Sequence, residues 1–274
     1  MIKTDTHLHT LHSHGKATVE AMFHAARAKG IDIIGFSEHS PRPETHSYPS
    51  DYQPRLIEGF PTYVADVKRL RDEFKNEATV LFGLEMDWVE GNETFIADTL
   101  KAHDFDYVIG GIHFIDTWGF DYRKEDWQVL SESRQVELYQ QFYATMANMA
   151  RTGLFNIVAH PDIIKIFSVD LFREWAAGDE AKAAFRTALT AIHDAGMAIE
   201  ISSAGLRKPC KEIYPCPQFI ALASEMGIPV SFGSDAHSEA SVGYAFDQLE
   251  QYARKFGYTD SVYFVKRRMH SRKF

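Results

Sequence analysis

The first residues with chemistry in them are Asp5-Thr6-His7-Leu8-His9, at the end of a short strand-like run. Side chains two apart on a strand share a face. His7 and His9 therefore set two imidazoles side by side, which is the beginning of a metal site. The pattern then recurs along the chain. Further apolar runs at 32–37, 79–84, 107–112, 155–159 and 228–232 end in or run into His39, Glu85, His113, His160, and Asp235 with His237. A lone histidine at a strand end is more often a hydrogen-bonded structural residue than a ligand. Eight ligand-type residues at the ends of six strands have no such simple structural account. Neutral imidazoles with a few carboxylates suit zinc, iron or manganese. Eight donors exceed what one tetrahedral ion needs, so two or three divalent metals bridged by a carboxylate are expected.

These donors need a scaffold that brings strand ends together. The apolar runs, with 2–7 and 197–202 added, alternate with helical patterns at 19–29, 63–74, 94–102, 132–152, 181–195, 217–226 and 244–255. Alternation of this kind predicts a parallel sheet with crossover helices. The strands are continuously apolar, so both faces are covered. No Gly-rich dinucleotide fingerprint follows the first strand, which weakens an open doubly wound sheet. A closed (β/α) barrel fits better, as one domain over residues 1–274. In a parallel barrel the C-terminal strand ends converge on one mouth, where catalytic residues sit.

Composition narrows the function classes. Apolar residues make up 45% of the 274-residue chain and aromatics 13%, enough for a large core. A net charge of -9 argues against a nucleic-acid surface, and the basic tail from Lys266 to Lys273 reads as a solvated end. No apolar run is long enough to span a bilayer. The N-terminal stretch has no secretory pattern. Cys210 and Cys216 flank a Pro- and Tyr-rich loop with nothing nearby to complete a cysteine metal site. A cytoplasmic protein with no membrane or nucleic-acid partner is the expectation.

Taken as a set, Asp-x-His-x-His, Ser-Glu-His at 37–39, Gly-Leu-Glu at 83–85, Gly-Ile-His at 111–113, Ala-His-Pro at 159–161 and Ser-Asp-Ala-His at 234–237 resemble the polymerase-and-histidinol-phosphatase (PHP) superfamily. Within it, Ser-Glu-His-Ser-Pro-Arg-Pro from 37, Gly-Leu-Glu-Met-Asp from 83 and Glu-Ile-Ser-Ser-Ala-Gly-Leu-Arg-Lys from 200 are similar to its histidinol-phosphatase branch. The resemblance covers essentially the whole chain. It implies a distorted (β/α)7 barrel with a trinuclear centre. His7, His9, Glu85 and Asp235 would hold one metal, and Glu85 would bridge to a second on His113 and His160. His39, His237 and a residue after His9 would hold the third. The superfamily often places that last ligand six residues past the second histidine, which is Gly15 here. His14 is the expected substitute and His12 the alternative.

The chemistry implied is hydrolysis of a small phosphate monoester, L-histidinol phosphate in this branch, by a metal-activated hydroxide. Another small phosphate or a nucleotide is the alternative substrate. An amidohydrolase-type hydrolase is disfavoured by Ser-Glu-His and Glu85, and a non-enzymatic metal-binding module by the near-complete donor set. Arg207 has the planar donor fork that grips phosphate, as an arginine in this loop does in similar phosphatases, and Lys165 is a second candidate. Asp235 and His237 are candidate proton donors, and Asp5 is either an orienting partner or a structural hydrogen bond. The remaining histidines read as ordinary, except that His46 lies in a long loop after His39 that could lid the mouth. The aromatic loop from Trp118 to Trp127 reads chiefly as packing.

Overall fold

The computed structural model describes residues 1–43, 45–46 and 52–274, and the side chains of 52 and 53 are not described. Much of the loop expected to follow His39, residues 44 and 47–51, lies outside the described residues.

Seven parallel strands stand in sequence order: β1 (Thr4–Leu8), β2 (Ile33–Phe36), β3 (Thr79–Asp87), β4 (Tyr107–Gly111), β5 (Ile157–Val158), β6 (Ala198–Ser202) and β7 (Val230–Gly233). Their burial is nearly continuous, as strands covered on both faces require. The sheet curls until β1 meets β7. Thr6 Oγ1 lies 3.0 Å from Ser231 Oγ and donates to the Phe232 carbonyl at 3.1 Å. His9 N donates to the Ala236 carbonyl at 2.9 Å, and Ala236 N to that of His7 at 3.2 Å. The result is the nearly closed, distorted (β/α)7 barrel expected from the motifs.

Inside the barrel lie Ile33, Leu81, Tyr107, Ile109, Ile157 and Ala198. Tyr107 spans the interior and donates from its hydroxyl to the Thr6 carbonyl at 2.7 Å. Gly83 makes room for it, since a Cβ there would lie 2.4 Å from the Tyr107 ring. Outside, helices cover the strands with apolar stripes at helical spacing. On Glu132–Arg151 the stripe is Leu138, Tyr139, Phe142, Tyr143, Met146 and Met149, and Ser131 caps the helix through Arg134 N. Among the described residues no helix is long and apolar enough to cross a membrane.

Three of the larger elements differ from expectation. The helix expected from residue 63 is Tyr52–Glu73 and runs through Pro61. Pro usually ends a helix, but the stripe Leu56, Phe60, Tyr63, Val67 and Leu70 continues across it at 3- and 4-residue steps. A helix at Val169–Ala176 was not anticipated. The basic tail is largely exposed, as expected, but it is ordered. It is an antiparallel hairpin, β8 (Asp260–Val265) and β9 (Arg268–Lys273). Its turn residues Lys266 and Arg267 both have positive φ, 49° and 64°. Asn-Gly usually supplies that geometry, so the usual hairpin signal is missing. Val262 and Phe264 of β8 join the barrel-interior cluster. Because Phe264 is 3% exposed, Phe264→Ala is expected to cost about 3–5 kcal/mol of stability in denaturant unfolding. A loss below about 1 kcal/mol, the range of an exposed site, would mean that β8 is not part of the core.

Candidate metal centre

The centre is built around Glu85, on β3 and 1% exposed. Its two oxygens face different groups. Oε2 lies 2.9 Å from His39 Nδ1 and 3.3 Å from both His7 Nε2 and His9 Nε2. Oε1 lies 2.9 Å from His160 Nε2 and 3.8 Å from His113 Nε2. Asp235 stands at the side, with Oδ1 3.3 Å from His9 Nε2, 3.4 Å from His237 Nδ1 and 3.9 Å from His7 Nε2. Three sets have mutual donor spacings within 4.8 Å, short enough to share an ion: His7, His9 and Glu85; Glu85, His113 and His160; and His9, His39 and His237. His14 approaches the third set, its ring centroid 4.1 Å from His237 and 4.9 Å from His39. His12 points elsewhere and pairs with Asp66 at 3.0 Å. The loop explains the spacing. Ser13 N and Gly15 N both bond the Thr10 carbonyl, and a Cβ at Gly15 would lie 2.6 Å from that oxygen. Residue 15 is held to glycine by this turn, and the imidazole comes from residue 14.

Carboxylates behind the ring orient it, and sequence reasoning assigned them no role. Glu200 Oε1 lies 2.7 Å from His7 Nδ1, and its other oxygen accepts from His160 N at 2.7 Å. Glu38 lies 3.3 Å from His9 Nδ1 and also accepts from Thr10 N (2.9 Å), Thr10 Oγ1 (2.5 Å) and Ser13 Oγ. Asp87 holds His113 Nδ1 and is gripped in turn by Arg42 Nε. Such partners fix ring orientation and tautomer. One signal was present: Glu200 is a lone charge in the apolar strand Ala-Ile-Glu-Ile-Ser. Gly233 leaves the space Glu200 uses, because a Cβ there would lie 1.8 Å from Glu200 Oε1.

The other expected residues fall as follows. Asp5 accepts from Ser234 N (2.9 Å), Ser234 Oγ (2.6 Å) and Gly243 N (3.2 Å), so its bonds fix the turn before Asp235. Asp235 has φ 49° and His160 has φ 24°, strained backbone at two of the donor positions. Arg207, expected to grip phosphate, donates through Nη2 to the carbonyls of Ser234 and Asp235. Lys165 is fully buried between Asp162 (2.8 Å) and Glu212 (2.9 Å). Two cations line the cleft beside the donors, Lys208 and Arg42. His46 is buried, with Nε2 2.9 Å from the Asp116 carbonyl. His24, His193 and His270 are exposed, as ordinary histidines.

Charge divides the imidazoles. Burial alone would lower His7, but Glu200 and Glu85 outweigh it and raise it well above the ordinary value. His9 and His113 are raised to about 9, against their burial, by Asp235 and Glu38 and by Asp87 respectively. Burial and the neighbouring His9 lower His39 and His237, the latter to about 3. Burial opposes ionisation of Glu85, but the surrounding imidazoles hold its carboxyl well below the usual range. At neutral pH the metal-free ring therefore carries protons on His7, His9 and His113, and ligation must expel them. Two outcomes follow. Metal uptake near neutral pH should release more than one proton per chain in calorimetry across buffers of different ionisation heat, and should weaken as pH falls below about 9; uptake without proton release would contradict this charge state. Glu200→Gln should cost about 10–100-fold in metal affinity, measured by chelator competition; unchanged affinity would remove Glu200 from this role.

Comparison with known proteins bears on the same residues. The PHP domain model matches residues 5–204 and a PHP-associated model residues 216–258. A protein of Deinococcus radiodurans named "Probable histidinol-phosphatase" is 34% identical over 256 residues, covering 92% of this chain and 93% of its own. The histidinol-phosphatase of Bacillus subtilis is 27% identical over 265 residues, covering 90% of this chain and 98% of its own. The crystal structure of a histidinol phosphate phosphatase from Lactococcus lactis, complexed with zinc, L-histidinol and phosphate, shares the fold at a TM-score of 0.78. It is 19% identical, and the match covers 98% of this chain and all of that one. With its strand-end donors lying inside the matched region apart from Asp235 and His237, and with a 34% identical relative matched nearly end to end, this chain belongs to the PHP domain family.

Proposed function

We propose that this chain is a metal-dependent phosphomonoesterase that hydrolyses L-histidinol phosphate to L-histidinol and phosphate. One observation carries the reading: the Glu85 carboxylate stands between two groups of imidazoles at the floor of a cleft of about 310 Å³. The names of the Deinococcus and Bacillus relatives, and the ligands in the Lactococcus structure, support the substrate.

The donor set fits divalent ions on chemical grounds. His7 Nε2, His9 Nε2, His237 Nε2 and Glu85 Oε2 are buried and have no hydrogen-bond partner among the described residues. An unsatisfied buried polar atom costs about 1–3 kcal/mol, and a cation would satisfy all four. In our reading His7, His9, Glu85 and Asp235 hold one ion, and Glu85, His113 and His160 a second. His39, His237 and His14 hold a third. Zinc, iron or manganese suits these nitrogen and oxygen donors. Such ions, when bound, supply positive charge at the phosphoryl oxygens and a water acidic enough to attack near neutral pH.

The chain's own groups do the rest. Glu200, Glu38 and Asp87 keep three imidazoles aimed at the floor, which preorganises the site before substrate arrives. Lys208 offers the phosphate a cation on the cleft wall. Arg207 holds the backbone of Asp235 from behind, and Lys165 supports the loop after His160 through Asp162. Asp235 and His237, the expected proton donors, are held ionised and neutral respectively near neutral pH, the His237 imidazole at about 3, so in this reading they serve as metal donors and not as the acid for the departing alkoxide. Phosphate release should be faster from L-histidinol phosphate than from a panel of sugar, glycerol and nucleoside phosphates, and should be lost on chelation. Equal rates across the panel would remove the substrate assignment, and full activity without metal would remove the mechanism.

A further inference from the structure

The metal donors stand at the C-terminal strand ends. A second hollow, of about 770 Å³, lies at the other side of the barrel, against the segments that enter β4 and β5. Five cations line it. Lys68 and Arg71 come from the helix Tyr52–Glu73, Lys101 ends the helix Glu93–Lys101, and Lys266 and Arg267 form the turn of the terminal hairpin. Two carboxylates, Asp104 and Asp106, share the hollow. The surplus is positive, on a chain whose net charge is -9.

Like charges repel, so their gathering needs a reason. Pairing within the chain does not supply it. Both oxygens of Asp106 are engaged by backbone, Oδ2 by Phe82 N and Oδ1 by Lys266 N, each at 3.0 Å. Arg71 comes no nearer to Oδ2 than 3.6 Å. Lys101 has only the exposed Asp98, at 3.5 Å. Arg267 donates to the Leu154 carbonyl, and burial lowers its pKa with no carboxylate to offset the lost water. Lys68 lies 5.6 Å from the centre of the Phe82 ring and has no ion pair among the described residues. Burial and the Lys68 charge together lower the pKa of His103 on the same wall, so this imidazole is neutral at neutral pH.

The turn adds an independent sign. Lys266 and Arg267 hold φ of 49° and 64°, a region that disfavours side chains. The bond to Leu154 is a structural reason for Arg267. The ammonium of Lys266 is exposed and has no partner among the described residues, so folding does not explain a lysine there. Strained backbone of this kind gathers at binding sites. Leu100, Phe105 and Leu154 give the hollow apolar surface as well.

We infer that this hollow is a second ligand site, for a small molecule that joins two or more anionic groups to a flat ring, the chemistry of a nucleoside diphosphate. Its volume is that of a small-molecule site. Arg71 and Arg267 offer donor forks to phosphoryl oxygens, and Lys68 and Lys266 offer movable ammonium groups. The apolar surface takes the ring. The ligand binds away from the metals, since the hollow and the donors lie at opposite ends of β4 and β5.

The probe is pyranine, a fluorescent pyrene trisulfonate, titrated into the metal-loaded enzyme. It should bind saturably, and ADP should displace it at lower concentration than citrate, which lacks the ring, or adenosine, which lacks the anions. Lys266→Gln and Lys68→Gln should each weaken the dye about tenfold, the effect of one charge-assisted hydrogen bond, with Tm unchanged. Lys101→Gln, at an exposed helix end, should weaken it in the same direction and gives a reading free of any effect on folding. Lys208→Gln, in the metal cleft, should leave the dye bound as before. The inference is overturned if the dye does not bind, if it survives the substitutions at Lys266, Lys68 and Lys101, or if it is lost in Lys208→Gln. Displacement by citrate or adenosine as readily as by ADP overturns it too.

Discussion

A single buried carboxylate sets the terms for this structure. Glu85 is almost fully desolvated, and an unpaired ionised carboxylate at such a position would be prohibitively costly. Imidazoles on both sides keep it ionised: His7, His9 and His39 at one oxygen, His113 and His160 at the other. Those imidazoles are buried too, and three of them rest against carboxylates of their own, Glu200, Glu38 and Asp87. The site is thus a nested set of charges, each tolerable only because its neighbours are held still. Buried networks of this kind do little for stability, and their value here is the geometry they impose on the donors.

The barrel supplies the stillness. Seven strand ends converge, so donors far apart in sequence meet without long loops. The stabilising apolar burial lies elsewhere, in the interior around Tyr107 and in the helical layer packed outside. The terminal hairpin extends that interior through Val262 and Phe264. The most strained backbone in the centre, at His160 and Asp235, is where the restraints concentrate. Glu200 accepts from His160 N, while Asp5 and Arg207 hold the Ser234–Asp235 segment.

Legibility in the sequence followed the range of the interaction. Alternating apolar runs and helical stripes are local, and they predict the strand order and most helices. The hairpin at 260–273 was missed because Lys266 and Arg267 occupy a turn that local rules assign to Asn-Gly. The ligand-type residues were visible because a strand's end is a local feature and six of the seven carry at least one. Their orienting partners were not: Glu200 and His7 are 193 positions apart, and only closure of the sheet joins them.

By itself, then, the sequence determined the fold class, the family and the ring of candidate donors, because periodicity and motif spacing are properties of neighbouring residues. The tertiary structure decided how those donors are used. It split Glu85 between two imidazole groups and sent His14 rather than His12 to the cleft. It turned Arg207 toward the backbone and buried Lys165 between carboxylates. It also left Lys208 and Arg42 on the cleft wall. Each of those outcomes depends on which side chains meet across the barrel mouth, and that is fixed by packing and charge pairing between distant segments.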